Sequence, residues 1–185
     1  LNDSRVYGSI NLQHEWYIFT NKGGFVFGMN TCRLSRSVTL DIKNGVVEVD
    51  NKGNYWIYNH TGRVWYVEKM TRKIRSFQLI PQDKVTYLDE ERFHMVHDSR
   101  DIIWISTYGN GLFAYNPRTE EFQHFKADVT GYSHICSNFL QFVMEDRSGN
   151  IWVSSEYGGV SRLSVQNEGA VRIFLEDESL ADRSN

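Results

Sequence analysis

The sequence predicts an all-β fold, a β-propeller segment of about four four-stranded antiparallel blades, and three observations lead there. A Trp-centred unit recurs around Trp16, Trp56, Trp104 and Trp152, at separations of 40, 48 and 48 residues, a period that suits propeller blades. No unit contains an apolar run of helical length with a 3.6-residue period; each has short apolar or alternating segments broken by Gly, Asn and Asp. The chain also carries 11 Phe, 10 Tyr and 5 Trp, the bulk that stacked sheets need between them.

The clearest unit is residues 146–163, D-R-S-G-N-I-W-V-S-S-E-Y-G-G-V-S-R-L. Residues 98–115 (D-S-R-D-I-I-W-I-S-T-Y-G-N-G-L-F-A-Y) and 50–67 (D-N-K-G-N-Y-W-I-Y-N-H-T-G-R-V-W-Y-V) repeat its order. In D-x-x-G-N-x-W, Asp146 bonds the backbone ahead of it and Gly149 takes a positive φ, so strands at 139–145 and 150–155 form a hairpin. A second turn at Gly158-Gly159, or at 109–111, leads to a third strand, and residues 171–175, 121–125 and 74–79 mark a fourth. Blades packed on both faces should read as near-continuous apolar runs, as Phe25-Val26-Phe27, Val64-Trp65-Tyr66-Val67 and residues 139–144 do.

In chain order, the first unit spans residues 1–44 and is the least regular: Ile10 stands where the Asp is expected, and Gly23-Gly24 falls one residue late. Its fourth strand is poorly marked, with Val38-Thr39-Leu40 the best candidate. The second unit, 45–88, runs into a connection holding Pro81 and the acidic Asp89-Glu90-Glu91, a solvated loop. The third and fourth, 89–135 and 136–179, are the best formed, and 180–185 is a polar tail that frays or begins another unit. Because Leu180-Ala181-Asp182 resembles Leu1-Asn2-Asp3, both ends fall at the same point of the repeat, which predicts further blades in the parent protein and self-association of an open arc.

These residues resemble the two-component regulator propeller repeat, whose pattern runs approximately D-x-x-G-N-x-W-I-G-T-x-x-G-G-L-x-x-Y followed by a Phe-x-x-Phe/Tyr outer strand. The match is carried by Asp98, Trp104, Ile105, Thr107, Gly111, Leu112, Tyr115, Phe122 and Phe125, then by Asp146, Gly149, Asn150, Trp152, Gly158, Gly159 and Leu163. Departures are Ser106 and Ser154 for a Gly, Tyr58-Asn59 in the second unit, Arg63 for its second Gly, and Asp101-Ile102 for Gly-Asn. The resemblance implies a periplasmic sensor region of a hybrid two-component histidine kinase, with glycan fragments as ligands and polysaccharide-utilisation genes as the output. A protein-interaction scaffold is the alternative, and a propeller lyase or hydrolase a more distant one.

Composition narrows the functional classes. Net charge is −3 with Lys and Arg dispersed, so no basic stripe points to nucleic acid. No run approaches the ~20 apolar residues that cross a bilayer, and the chain reads as a soluble segment. No metal or cofactor set stands out: His94 and His97, the closest pair, are three apart and point to opposite faces of a strand. Cys32 and Cys136 sit in different units and are expected to remain unpaired. The acids Glu120, Glu121 and Glu156 lack the paired arrangement that glycoside hydrolysis needs, and kinase motifs are absent, so no catalytic residue is assigned.

The candidate ligand-binding residues lie on the turns between second and third strands. Tyr108 and Tyr157 offer rings on which sugars could stack, and Asn110, Glu156, Arg63 and His60 offer hydrogen bonds, with Asn21 and Lys22 as weaker members. The Asp98 and Asp146 turns are expected on the opposite rim, with a structural role.

Overall fold

The computed structural model describes residues 4–12, 14–38, 46–59, 61–85, 94–127, 135–164 and 169–173. Sixteen strands among them form four antiparallel sheets of four. The first is β1 (Val6–Leu12), β2 (Glu15–Thr20), β3 (Gly23–Gly28) and β4 (Arg33–Val38). The second is β5 (Val46–Val49), β6 (Tyr55–Tyr58), β7 (Arg63–Val67) and β8 (Ile74–Gln78). The third is β9 (His94–His97), β10 (Ile103–Thr107), β11 (Gly111–Asn116) and β12 (Glu121–Phe125), and the fourth β13 (Leu140–Glu145), β14 (Ile151–Ser155), β15 (Val160–Ser164) and β16 (Gly169–Ile173).

Within each sheet the strands pair in sequence order, an up-and-down meander. First strands stand beside one another: β1 contacts β5, β5 contacts β9, and β9 contacts β13. This is a β-propeller, each sheet a blade and each first strand innermost. Residues 1–3, Thr39, Leu40, His60, 89–91 and 174–185, for which the sequence carries expectations, lie outside the described residues.

The Asp turn closes more tightly than its backbone bonds alone require. In the fourth blade the Asp146 carboxylate accepts the backbone N–H groups of Ser148 (2.8 Å) and Asn150 (2.9 Å) and the indole N–H of Trp152 (2.7 Å). Asp98 accepts from Arg100 N, Ile102 N and Trp104 Nε1, each at 2.9 Å. Asp50 does the same with Lys52, Asn54 and Trp56. The six-residue step from Asp to Trp therefore carries a bond from the ring to the acid that the turn is built on. Gly149 and Gly53 take φ of 79° at the turn, and in the third blade Asp101, a non-glycine, takes 74°. Its carboxylate lies 2.7 Å from Nε2 of His97, a local contact at a conformation L residues rarely adopt.

Three apolar clusters fill the seams. Between the first and second blades lie Tyr17, Phe19, Tyr55, Ile57 and Val67. Between the second and third lie Trp56, Tyr58, Val64, Met95, Ile103, Ile105, Phe113 and Tyr115. Between the third and fourth lie Trp104, Leu112, Ala114, Leu140, Val143, Ile151, Val153 and Leu163. Trp56 and Trp104 are buried under the blade that follows each, at 1% and 5% exposure.

Two expectations are corrected. Trp16 is not the equivalent of the other marker Trp residues. Trp56 and Trp104 face the next blade, but in the first blade it is Tyr17 that packs there, 5.1 Å from Tyr55 between ring centroids and 1% exposed, while Trp16 is 36% exposed on the other face. Successive strand residues alternate sides, so a one-residue shift exchanges the faces. The shift also explains the late glycines: Gly23-Gly24 lie six and seven residues after Tyr17, as Gly158-Gly159 do after Trp152. Ile10 is then not in a turn at all; it pairs with Tyr17 inside β1, and β1 and β2 are joined by the two residues between Leu12 and Glu15. The fourth strand of the first blade begins at Arg33, five residues before the expected Val38. An outermost strand needs little apolar content, and R-L-S-R-S-V offers little to find it by.

Candidate functional site

The two rims of the blades are built differently. On one, the Asp turns are knitted together: Ser99 donates through its backbone N–H (2.8 Å) and hydroxyl (2.6 Å) to Glu145, and the Arg100 guanidinium reaches the Gly149 carbonyl at 2.6 Å and Asp98 at 2.6 Å. These bonds tie the third blade to the fourth. The carboxyl of Asp146 is held well below the usual aspartate range, first by the Trp152 indole and then by Asn150. The carboxylates of Asp50, Asp98 and Asp146 are thus occupied by their own turns, and this rim reads as structural.

The opposite rim carries the turns between second and third strands and the connections between blades, which are bonded to one another. Gly109 and Gly111 both donate to the Asn138 carbonyl, at 2.9 and 3.0 Å, and Glu156 donates to that of Phe139 at 3.0 Å. In the second blade, Leu79 and Ile80 donate to the Gly62 carbonyl, bringing the connection that holds a 3₁₀ turn, Gln82–Lys84, up to the turn at Gly62. Gly111 lies so close to Phe125 that a Cβ there would stand 2.4 Å from its carbonyl oxygen, so the turn requires glycine both for its φ of 80° and for space.

The structure brings some of the candidate residues together. The Tyr108 hydroxyl donates to Glu156 Oε2, and the Tyr108 ring packs edge-on against Phe139, 5.2 Å between centroids. These contacts join turns of the third and fourth blades that are 48 residues apart. Tyr157, next in sequence to Glu156, is 70% exposed, so a flat aromatic face stands beside that pair. Asn110 turns toward the preceding connection, donating its amide to the Lys84 carbonyl at 3.2 Å, while its own carbonyl meets His124 Nε2 at 2.7 Å. Arg63 is set apart: its Nε donates to Gln78 Oε1 at 3.1 Å within the second blade. His60 lies outside the described residues.

Sequence reasoning missed Phe139, Lys84 and Asn138 on this rim. Each lies in a connection between blades, where the repeat has no fixed letter and the only signal was position. Cys136, read from the sequence only as an unpaired thiol, also donates its backbone N–H to the buried Ser161 hydroxyl at 2.9 Å, fixing the connection beneath the Glu156 turn. Cys136 and Cys32 are both free thiols.

The other histidines do not assemble a metal set; among the described residues no cluster of three or more His, Cys, Asp or Glu side chains is placed to hold an ion. His94 stacks on Phe142 at 4.0 Å between the innermost strands of the third and fourth blades, and burial there pushes its pKa down. Glu48, on the innermost strand of the second blade, is pushed up, also by burial. Glu120 pairs with Arg75 at 2.7 Å on the surface, and no second carboxylate stands with Glu156 among the interactions described.

No family model matches the chain. Histidine kinase P4 of Formosa agariphila is 25% identical over 130 residues, covering 68% of this chain and 10% of that protein. The extracellular domain of a hybrid two-component system from Bacteroides thetaiotaomicron superposes with a TM-score of 0.65 at 18% identity, covering 88% of this chain and 22% of the other. A virginiamycin B lyase from Staphylococcus aureus superposes with a TM-score of 0.70 at 10% identity, covering 97% of this chain and 59% of the lyase. The chain therefore spans a tenth of the curated relative and about a fifth of the extracellular domain, and the likeness to the solved structures is one of fold. Among the described residues no helix is long and apolar enough to cross a membrane.

Proposed function

We propose that the chain is part of the ligand-sensing region of a hybrid two-component histidine kinase, lying in the periplasm, where it binds glycan fragments and so regulates polysaccharide-utilisation genes. The observation that carries this reading is the rim of the third and fourth blades: Tyr108 and Glu156 bonded across the seam, with the exposed ring of Tyr157 beside them. A flat apolar face flanked by hydrogen-bonding groups is what a pyranose ring requires, since its C–H face is apolar and its rim is hydroxyl. The identity to a histidine kinase and the likeness to an extracellular sensor domain support the same class. In this reading the segment binds and does no chemistry, its partners are the remaining blades of the parent protein and a second copy of the ectodomain, and the kinase domains lie elsewhere in that protein.

Calorimetric titration of the intact ectodomain with a panel of oligosaccharides tests the reading. Saturable binding is expected, with Tyr157→Ala weakening it about tenfold, the effect of truncating one aromatic anchor. Tyr157 is exposed, so the substitution should leave the unfolding midpoint within the small range of surface changes. Ectodomain that binds protein partners but no oligosaccharide would instead favour an interaction scaffold.

A further inference from the structure

We infer that the seam of the third and fourth blades carries an ammonium subsite, and that the glycan it takes is an amino-sugar oligosaccharide whose protonated amine docks on Glu156. The inference rests on the glycan-binding reading above and adds a substituent chemistry to it. Its starting point is the way acids cross the seams. Three other acids make ion pairs with a neighbouring blade: Glu15 with Lys69 at 3.5 Å, Glu120 with Arg75 at 2.7 Å and Glu145 with Arg100 at 3.9 Å. Glu156 crosses a seam too, but it meets the neutral phenol of Tyr108 and makes no ion pair among the described residues. The Tyr108 hydroxyl donates to one carboxylate oxygen, Oε2, and so holds the group in place, while the side chain of Glu156 stays exposed.

The surroundings of that charge are aromatic. Glu156 donates its backbone N–H to the Phe139 carbonyl at 3.0 Å, one step beyond the Leu140–Ser155 pair. Facing positions of an antiparallel pair hold their Cβ atoms about 5 Å apart, which makes the carboxylate and the Phe139 ring neighbours. Tyr108 meets both, its ring on Phe139 and its hydroxyl on Glu156. Phe139 nevertheless remains 42% exposed, and Tyr157, next to Glu156 in sequence, 70%. A positioned carboxylate beside open aromatic faces is a combination that suits an organic ammonium: the acid accepts a charge-assisted hydrogen bond, and the rings attract the cation through their quadrupoles. A carboxylate or sulfate on the ligand would meet like charge there, and a hydroxyl would keep the hydrogen bond but lose the attraction of opposite charges. An amino sugar brings the ammonium and an apolar C–H face on one pyranose ring.

The test uses β-1,4-linked tetrasaccharides that differ in the substituent at C2: tetraglucosamine, which carries an ammonium, its N-acetylated counterpart, which carries an amide, and cellotetraose, which carries a hydroxyl. Calorimetry on the intact ectodomain at about pH 6, where a primary amine is protonated, measures each. Tetraglucosamine is expected to bind at least about tenfold more tightly than either of the others, and Glu156→Gln, which keeps the shape and removes the charge, to bring that ratio down to about twofold or less. Glu121→Gln makes the same change of net charge at an exposed acid at the start of β12, and should leave the ratio within about twofold of the parent's. An equal fall in both variants would show long-range attraction only and would overturn the subsite, as would a ratio that survives Glu156→Gln. Equal affinity of the parent for all three probes would overturn it while leaving glycan sensing intact, and binding of none of them, together with no binding across the wider panel, would remove the glycan reading itself.

Discussion

Replacing Trp104 by Ala should lower the unfolding free energy by ~3–5 kcal/mol, the usual range for truncating a buried Trp. The ring is 5% exposed and packs among Leu112, Ala114, Leu140, Val143 and Ile151, so its removal opens a cavity in the seam between the third and fourth blades. It also deprives Asp98 of the indole donor at 2.9 Å, while Arg100 continues to hold that carboxylate. Trp104→Phe separates the two contributions: most of the packing stays, and the lost bond to a charged group should cost about 1.5–3 kcal/mol. Urea unfolding followed by far-UV circular dichroism reads both variants without depending on the fluorescence of the residue removed. A Phe variant as stable as the parent would mean that the bond between ring and acid contributes nothing, and that the Asp serves its turn alone.

The first blade gives the second large effect. Tyr17→Ala should cost about 3 kcal/mol or more, because Tyr17 is fully buried against Tyr55 and Phe19 lies in the same cluster, whereas Trp16→Ala should cost about 1 kcal/mol or less. By sequence pattern the order would be reversed, since Trp16 carries the motif letter. Burial also pushes the Tyr17 phenol up to about 12, with its bond to Glu15 adding to that shift. A phenol raised in the folded state contributes stability that is present below its ordinary value near 10 and is lost as pH rises through 12. Equal unfolding midpoints for Tyr17→Ala and Trp16→Ala at neutral pH would put the register back where the Trp spacing places it.

What could be read in advance was the part of the fold encoded by contiguous residues. D-x-x-G-N-x-W contains its own turn, its positive-φ glycine and its capping acid, so strands β13 and β14 could be placed within a residue or so. Asp101 shows the limit of that letter code: the turn keeps its conformation without glycine, at φ 74°, held by the bonds that Asp98 makes and by the contact with His97. The register of the first blade was lost because a Trp is a louder signal than a Tyr, and only the packing against Tyr55 shows which of the two faces the neighbour. β4 was lost because an outer strand exposed to water carries no pattern that distinguishes it from a polar loop.

The candidate site was legible as a set of turns and not as a geometry. Turn chemistry placed Tyr108, Asn110, Glu156 and Tyr157 on one rim, since all follow second strands. The pairing of Tyr108 with Glu156, and its support by Phe139, depends on how adjacent blades stack, which no local motif records. Arg63, attractive as a cation beside a turn, is half-buried at the start of β7 and already bonded to Gln78.

The central claim is a division of labour between the rims, with Asp turns holding the blades together and the opposite turns meeting the ligand. Hydrogen–deuterium exchange of the intact ectodomain, with and without a saturating oligosaccharide found in the calorimetric panel, tests it most directly. The account predicts slowed exchange in peptides covering residues 20–24, 107–111 and 155–160, with residues 98–102 and 146–150 unchanged. Slowed exchange confined to the Asp98 and Asp146 turns would contradict it.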